Sequence, residues 1–85
     1  MITPINITIH TAELPAKANG ATMETLEQRD FLILLNSTKS PEEQKRALIH
    51  EVLHIWHDDF RRTDLDQIES ERDRETDYLL QEMKS

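Results

Sequence analysis

The sequence predicts an α+β domain in which a small antiparallel sheet of two or three strands packs on a two-helix hairpin. Three observations carry that reading: an alternating β-branched run near the N-terminus, a nearly all-apolar run at 30–36, and a strongly marked helix start at Ser40-Pro41. Strands come first and helices follow, the order of an α+β fold rather than of alternating βαβ units. At 85 residues the chain makes one domain, 1–85, and with 36% hydrophobic and 32% charged residues its core must be small. At this size a structural or catalytic metal can supply part of the missing stability.

"INITIHTAEL" alternates Ile5, Ile7 and Ile9 with Asn6, Thr8 and His10, which predicts a half-buried strand near 5–10. "PAKANGATMETLEQRD" is the loosest stretch, with a turn signal at Asn19-Gly20 and a short strand around Ala21–Leu26. "DFLILLN" at 30–36 has so few polar residues that it belongs at the centre of the sheet or under cover on both faces. Short connections make an antiparallel arrangement the simplest one.

In Ser40-Pro41-Glu42-Glu43, serine can cap the helix, proline occupies its first position and glutamate its third. This helix should run from Pro41 to about His57–Phe60. Thr63 or Asp64 can cap a second one over roughly 64–83. On that second helix Leu65, Ile68, Leu79, Leu80 and Met83 cluster on one side and predict its inward face, with Glu71, Asp77 and Tyr78 opposite. Trp56 and Phe60 read as core residues.

The net charge of −7 disfavours phosphate backbones and anionic lipid, so no direct nucleic-acid partner is expected. The absence of cysteine excludes disulfides, thiolate ligands and cysteine nucleophiles, and fits a cytoplasmic location. "MITPINITIH" lacks the pattern of a signal peptide, and "FLILL" is too short to cross a bilayer, so no membrane association is expected.

The first helix carries His50-Glu51-Val52-Leu53-His54. Histidines four apart lie one turn along and about 40° around a helix, so both rings can reach one ion. Glu51, about 100° round, can stand beside that ion as the base for an attacking water. The bland reading is a pair of exposed histidines on a polar face. A catalytic zinc also needs a third protein ligand. If the first helix ends near Phe60 and the second returns antiparallel from Asp64, His54 lies about 9 Å below the turn and Glu69 about 7.5 Å, so they come level. Glu69 falls on the expected inward side, where a carboxylate requires a partner or a metal. Glu71 is the rival and points away. His57 shares a face with His50 about 10 Å further along, which gives it an outer role, bonding a ligand or donating to an oxyanion, or simply complementing the helix C-terminus. Asp58 and Asp59 read as solvated or as holding an arginine. His10 has no evident task.

"LNSTKSPEEQKRALIHEVLHIWHDDF…DLDQIES" resembles the ImmA/IrrE family of zinc metallo-endopeptidases, particularly short members from phages and mobile elements. The likeness lies in a strand ending Leu-Asn, the Ser-Pro-Glu-Glu-Gln helix start, His-Glu-x-x-His, Asp-Phe, and an acidic element at Gln67-Ile68-Glu69-Ser70. It implies a minimal zincin-like domain with zinc on His50, His54 and Glu69 and Glu51 as general base. It also implies a protein substrate, such as a cytoplasmic helix-turn-helix repressor. Leu53 stands where the family usually has glycine, and Gln67 and Ser70 replace an acid and an alanine of its acidic element. Those departures leave a second reading open, a non-catalytic metal-binding module that binds a regulatory protein.

Overall fold

The computed structural model describes residues 5–25, 30–59 and 63–84. Three strands, β1 (Asn6–Ala12), β2 (Gly20–Glu24) and β3 (Asp30–Asn36), precede two helices, α1 (Pro41–Trp56) and α2 (Leu65–Lys84). The α+β class follows. The chain divides into two compact units, one reaching Leu48 and holding the sheet with the start of α1, the other running from Ile49 and holding the rest of α1 with α2. Among the described residues no helix is long and apolar enough to cross a membrane.

The sheet is mixed rather than antiparallel, in the order β1-β3-β2. β2 pairs antiparallel with β3, Gly20 opposite Leu35, as short connections predict, but β1 runs parallel to β3, with Asn6 opposite Asp30 and Ala12 opposite Asn36. The reason lies in the 13–19 connection, which arches over the end of β3 instead of closing a hairpin between β1 and β2. Asn36, fully buried at 0% exposure, holds that arch. Its side-chain amide donates to the carbonyls of Leu14, Pro15 and Ala18 at 3.2, 3.2 and 2.7 Å. Its Oδ1 accepts from the Leu14 and Thr38 amides and from the Thr38 hydroxyl. A buried amide with several backbone partners fixes a loop more firmly than the loop's own sequence does.

β3 is central, as its composition predicts. Phe31, Ile33 and Leu35 alternate onto a fully buried face, while Leu32 and Leu34 on the other face are half-buried. Gly20 belongs to β2 rather than to a turn. A Cβ there would lie 3.0 Å from the Leu34 carbonyl oxygen and 3.5 Å from the Ala47 Cβ, so glycine serves a close approach between β2, β3 and α1. β1 is less buried than its alternation predicts. Ile5, Ile7 and Ile9 remain 52%, 41% and 48% exposed, because an edge strand is packed from one side only.

Ser40 caps α1 as predicted, its hydroxyl accepting from the Glu43 amide at 3.2 Å and its carbonyl from the Gln44 amide. α1 stops at Trp56, one residue short of the expected range, and Asp58 adopts the left-handed conformation at φ 54°. Trp56 is not core: it is 81% exposed on the last turn. Phe60 and Leu26 lie outside the described residues. α2 starts one residue after Asp64, whose carbonyl accepts from the Ile68 amide.

The buried stripe of α2 is Ile68, Arg72 and Thr76, at 2%, 3% and 0% exposure. The apolar side that periodicity selects faces outward for the most part, since Leu65, Leu79 and Met83 are exposed. Two of the three buried positions are polar and satisfied, Arg72 by carboxylates and Thr76 by donating to its own helix at the Arg72 carbonyl. Counting apolar residues cannot reveal a stripe of that kind.

Candidate metal centre

All the groups of the site belong to the second unit. His50 and His54 project from successive turns of α1 with ring centroids 4.6 Å apart and planes at 78°. Their Nε2 atoms lie 3.0 Å from each other. Glu69, from the first turns of α2, reaches both: Oε2 is 2.9 Å from His50 Nε2 and Oε1 is 3.1 Å from His54 Nε2. The level crossing expected from helix rise therefore occurs. Its premise was different, because the Glu69 side chain is 57% exposed rather than inward-facing.

The other ring nitrogens are engaged as well. His50 Nδ1 lies 3.1 Å from Asp73 Oδ1, and His54 Nδ1 lies 3.0 Å from Asp59 Oδ2. A carboxylate can only accept, so each of these pairings favours hydrogen on Nδ1 and a lone pair on Nε2, while the Glu69 carboxylate at the two Nε2 atoms asks for the opposite tautomer unless a cation lies between them. Two imidazole lone pairs and a carboxylate then converge within 3.1 Å. Donor atoms of one sign packed this closely repel unless a proton or a cation lies among them. Zinc ligands at about 2.0–2.1 Å in a tetrahedron are roughly 3.3 Å apart, close to the separations found. The residues fit a divalent metal of the zinc type.

Glu51 offers a carboxylate oxygen within 4.8 Å of a ring nitrogen of each histidine. Glu69 lies within 3.1 Å of both histidines from α2, and Glu51 stands beside the same pair on α1. The rival Glu71 is turned to Arg72 and Gln67, at 3.4 and 3.2 Å.

Asp59 is buried, 6% exposed, and holds an arginine, one of the two roles read from the sequence. Arg72 Nε donates to its Oδ2 at 2.6 Å and Nη2 to its Oδ1 at 3.3 Å. Burial pushes the Asp59 carboxyl up, but hydrogen bonds from Arg72 and His54, with their charge, outweigh it and hold the group below its ordinary 3.8. The same carboxylate raises the Arg72 guanidinium above its usual range. His57 Nε2 lies 3.0 Å from Glu75 Oε2, and Glu75 in turn pairs with Arg72 Nη1. His57 thus joins the site through Glu75, Arg72 and Asp59. Asp73, Arg72 and Glu75 carry no motif; the available signal was helical spacing, since Asp73 follows Glu69 by one turn.

A family model described as the IrrE N-terminal-like domain, a peptidase domain, matches residues 6–81. The chain belongs to this family. Its resemblance to ImmA/IrrE proteins therefore extends over most of the sequence, including the N-terminal strands. This IrrE N-terminal-like domain carries the His-Glu-x-x-His helix and the potential metal-holding group of a metallopeptidase-like fold. No curated protein and no solved structure matches it.

Proposed function

We propose that the protein is a zinc-dependent endopeptidase that cleaves a peptide bond in a specific cytoplasmic regulator, such as a helix-turn-helix repressor of a phage or mobile element. The observation that carries the reading is the convergence of His50 Nε2, His54 Nε2 and Glu69 within 3.1 Å of one another. Membership of a peptidase family supports it, and an acidic surface fits a protein rather than a nucleic-acid substrate.

His50, His54 and Glu69 would hold the zinc. When bound, zinc supplies a Lewis acid that lowers the pKa of water to near neutrality and polarises the scissile carbonyl. Glu51, which shares α1 with His50 and His54, would take a proton from the attacking water on its carboxylate. It returns that proton to the amide nitrogen as the C–N bond breaks, so the new carboxyl and amine ends leave with the elements of water shared between them.

The test is Glu51→Gln, which keeps the shape of the side chain and removes the base. Wild type and variant should bind one zinc each, and only the wild type should cleave a co-expressed repressor, followed by intact mass. Cleavage by the variant, or a wild type that binds no zinc, refutes the reading. Zinc binding with no cleavage by wild type would favour the interaction-module alternative, a metal-held surface that binds its regulator without cutting it.

A further inference from the structure

The two histidines are held by carboxylates of very different character. Asp73, at His50 Nδ1, has a side chain 59% exposed. Asp59, at His54 Nδ1, has a side chain 4% exposed, and so does its partner Arg72. Asp59 reaches that position because α1 ends abruptly. Bonds from the His57 amide to the Leu53 carbonyl and from the Asp58 amide to the Ile55 carbonyl close the last turn, and the left-handed Asp58 sends the next residue back toward the helix.

The guanidinium fixes more than the charge of Asp59. Nε and Nη2 grip its two oxygens at 2.6 and 3.3 Å, which sets the plane of the carboxylate. Arg72 is fixed in its turn, with Nη1 on Glu75 and Nη2 3.4 Å from Glu71. A carboxylate whose plane is set presents one lone pair to His54 Nδ1, and because it is buried while the Glu69 carboxylate at Nε2 is 57% exposed, it prevails in fixing the tautomer and the rotation of the ring. The contact of His50 with Asp73 is screened by solvent, since that carboxylate is 59% exposed.

We propose that Asp59, clamped by Arg72, is a positioning residue that presets His54 for the metal before any metal binds, while His50 is the adaptable ligand that completes the site. The role rests on the metal site proposed above and adds an order to it. His54 is the fixed point, and His50 and Glu69 close on the ion. Neither Asp59 nor Arg72 touches the ion or the substrate.

The first measurement needs no metal. In the folded, chelator-treated protein, long-range nitrogen–proton correlation reports which ring nitrogen of each histidine carries hydrogen. His54 should show a single tautomer with hydrogen on Nδ1. A His54 bearing its hydrogen on Nε2 overturns the proposal without recourse to any variant. The second measurement is zinc affinity by competition with a chromogenic chelator. Asp59→Asn should mix the His54 tautomers and weaken zinc about 10–100-fold, whereas Asp73→Asn should weaken it less than about 10-fold.

Asp59→Asn leaves Arg72 with a diminished partner and can fail to fold, so the double variant Asp59→Ala/Arg72→Leu removes both charges together. It should fold and show the same loss of affinity with the same mixing at His54. Wild-type affinity in both Asp59 variants, or a larger loss from Asp73→Asn than from Asp59→Asn, overturns the positioning role alone. A wild type that takes up no zinc removes the metal site and this role together.

Discussion

Glu69→Ala separates a metal ligand from an ordinary hydrogen-bond partner, and the structure sets the size of the effect. Without metal, the Glu69 carboxylate oxygens lie 2.9 and 3.1 Å from the two ring Nε2 atoms, yet its side chain is 57% exposed. Solvent screens such contacts, so the chelated variant should lose well under about 1 kcal/mol. With zinc at one hundred times its dissociation constant, linkage stabilises the wild type by about 2.7 kcal/mol. For a domain of this length that is a rise in melting temperature of roughly 10–20 °C. If loss of the carboxylate weakens zinc about 100-fold, the same zinc concentration stabilises the variant by only about 0.4 kcal/mol, or roughly 2–3 °C. Glu71→Ala is the control, because Glu71 bonds Gln67 and Arg72 rather than the histidines and should retain the full rise. The assay is thermal unfolding by circular dichroism in chelator and in buffered zinc, with elemental analysis of the purified proteins. A zinc-dependent rise that survives in Glu69→Ala, or disappears in Glu71→Ala, refutes the assignment of the third ligand.

Two further substitutions probe the scaffold. Asn36→Ala removes the amide that holds the 13–19 arch, leaving several backbone groups to find water; we expect a loss of about 2–4 kcal/mol in urea unfolding, and a loss below about 1 kcal/mol would show that the arch holds itself. Asp59 has its pKa lowered on folding, so the unfolded chain takes up the proton first. The stability it contributes is complete above the ordinary carboxyl value of 3.8 and is lost as pH falls through the lower folded value. Urea midpoints measured in chelator from pH 7 down to about 2.5 should therefore fall more steeply below pH 4 for wild type than for Asp59→Asn. Parallel curves would mean that Asp59 is not held below its ordinary value by Arg72 and His54.

The parts of the chain that announced themselves were those with local causes. A serine cap, a proline at the first turn and glutamates beside it mark α1 within four residues, and α1 then starts at Pro41. Histidines one turn apart follow from that helix alone, and Glu69 follows from counting helix rise on both sides of a turn. What stayed hidden depended on distant partners. The parallel pairing of β1 is set by Asn36 more than twenty residues away, and no local pattern distinguishes it from a hairpin. Trp56 is exposed because α1 ends there, so helical spacing gave it a core position that the helix does not supply.

The most informative mismatch is the buried face of α2. A hydrophobic stripe is how a helix ordinarily declares its inner side, yet in the unit from Ile49 onward the buried apolar residues among those described are Leu53 and Ile68 alone. Four polar ones, His54, Asp59, Arg72 and Thr76, are buried with them. A unit built this way gains little from hydrophobic transfer and depends on every polar group finding its partner. The partners it has found lead from His57 through Glu75, Arg72 and Asp59 to His54, ending at three atoms that all carry lone pairs when Nδ1 holds the ring hydrogen. In that tautomer no described residue of the unit brings a positive charge to that end of the chain of bonds. A cation there does so, and it adds stability where apolar burial is scarce. The residues that hydrophobic periodicity could not see are thus the ones that make a metal worth more to this unit than it would be to a conventionally packed helical pair.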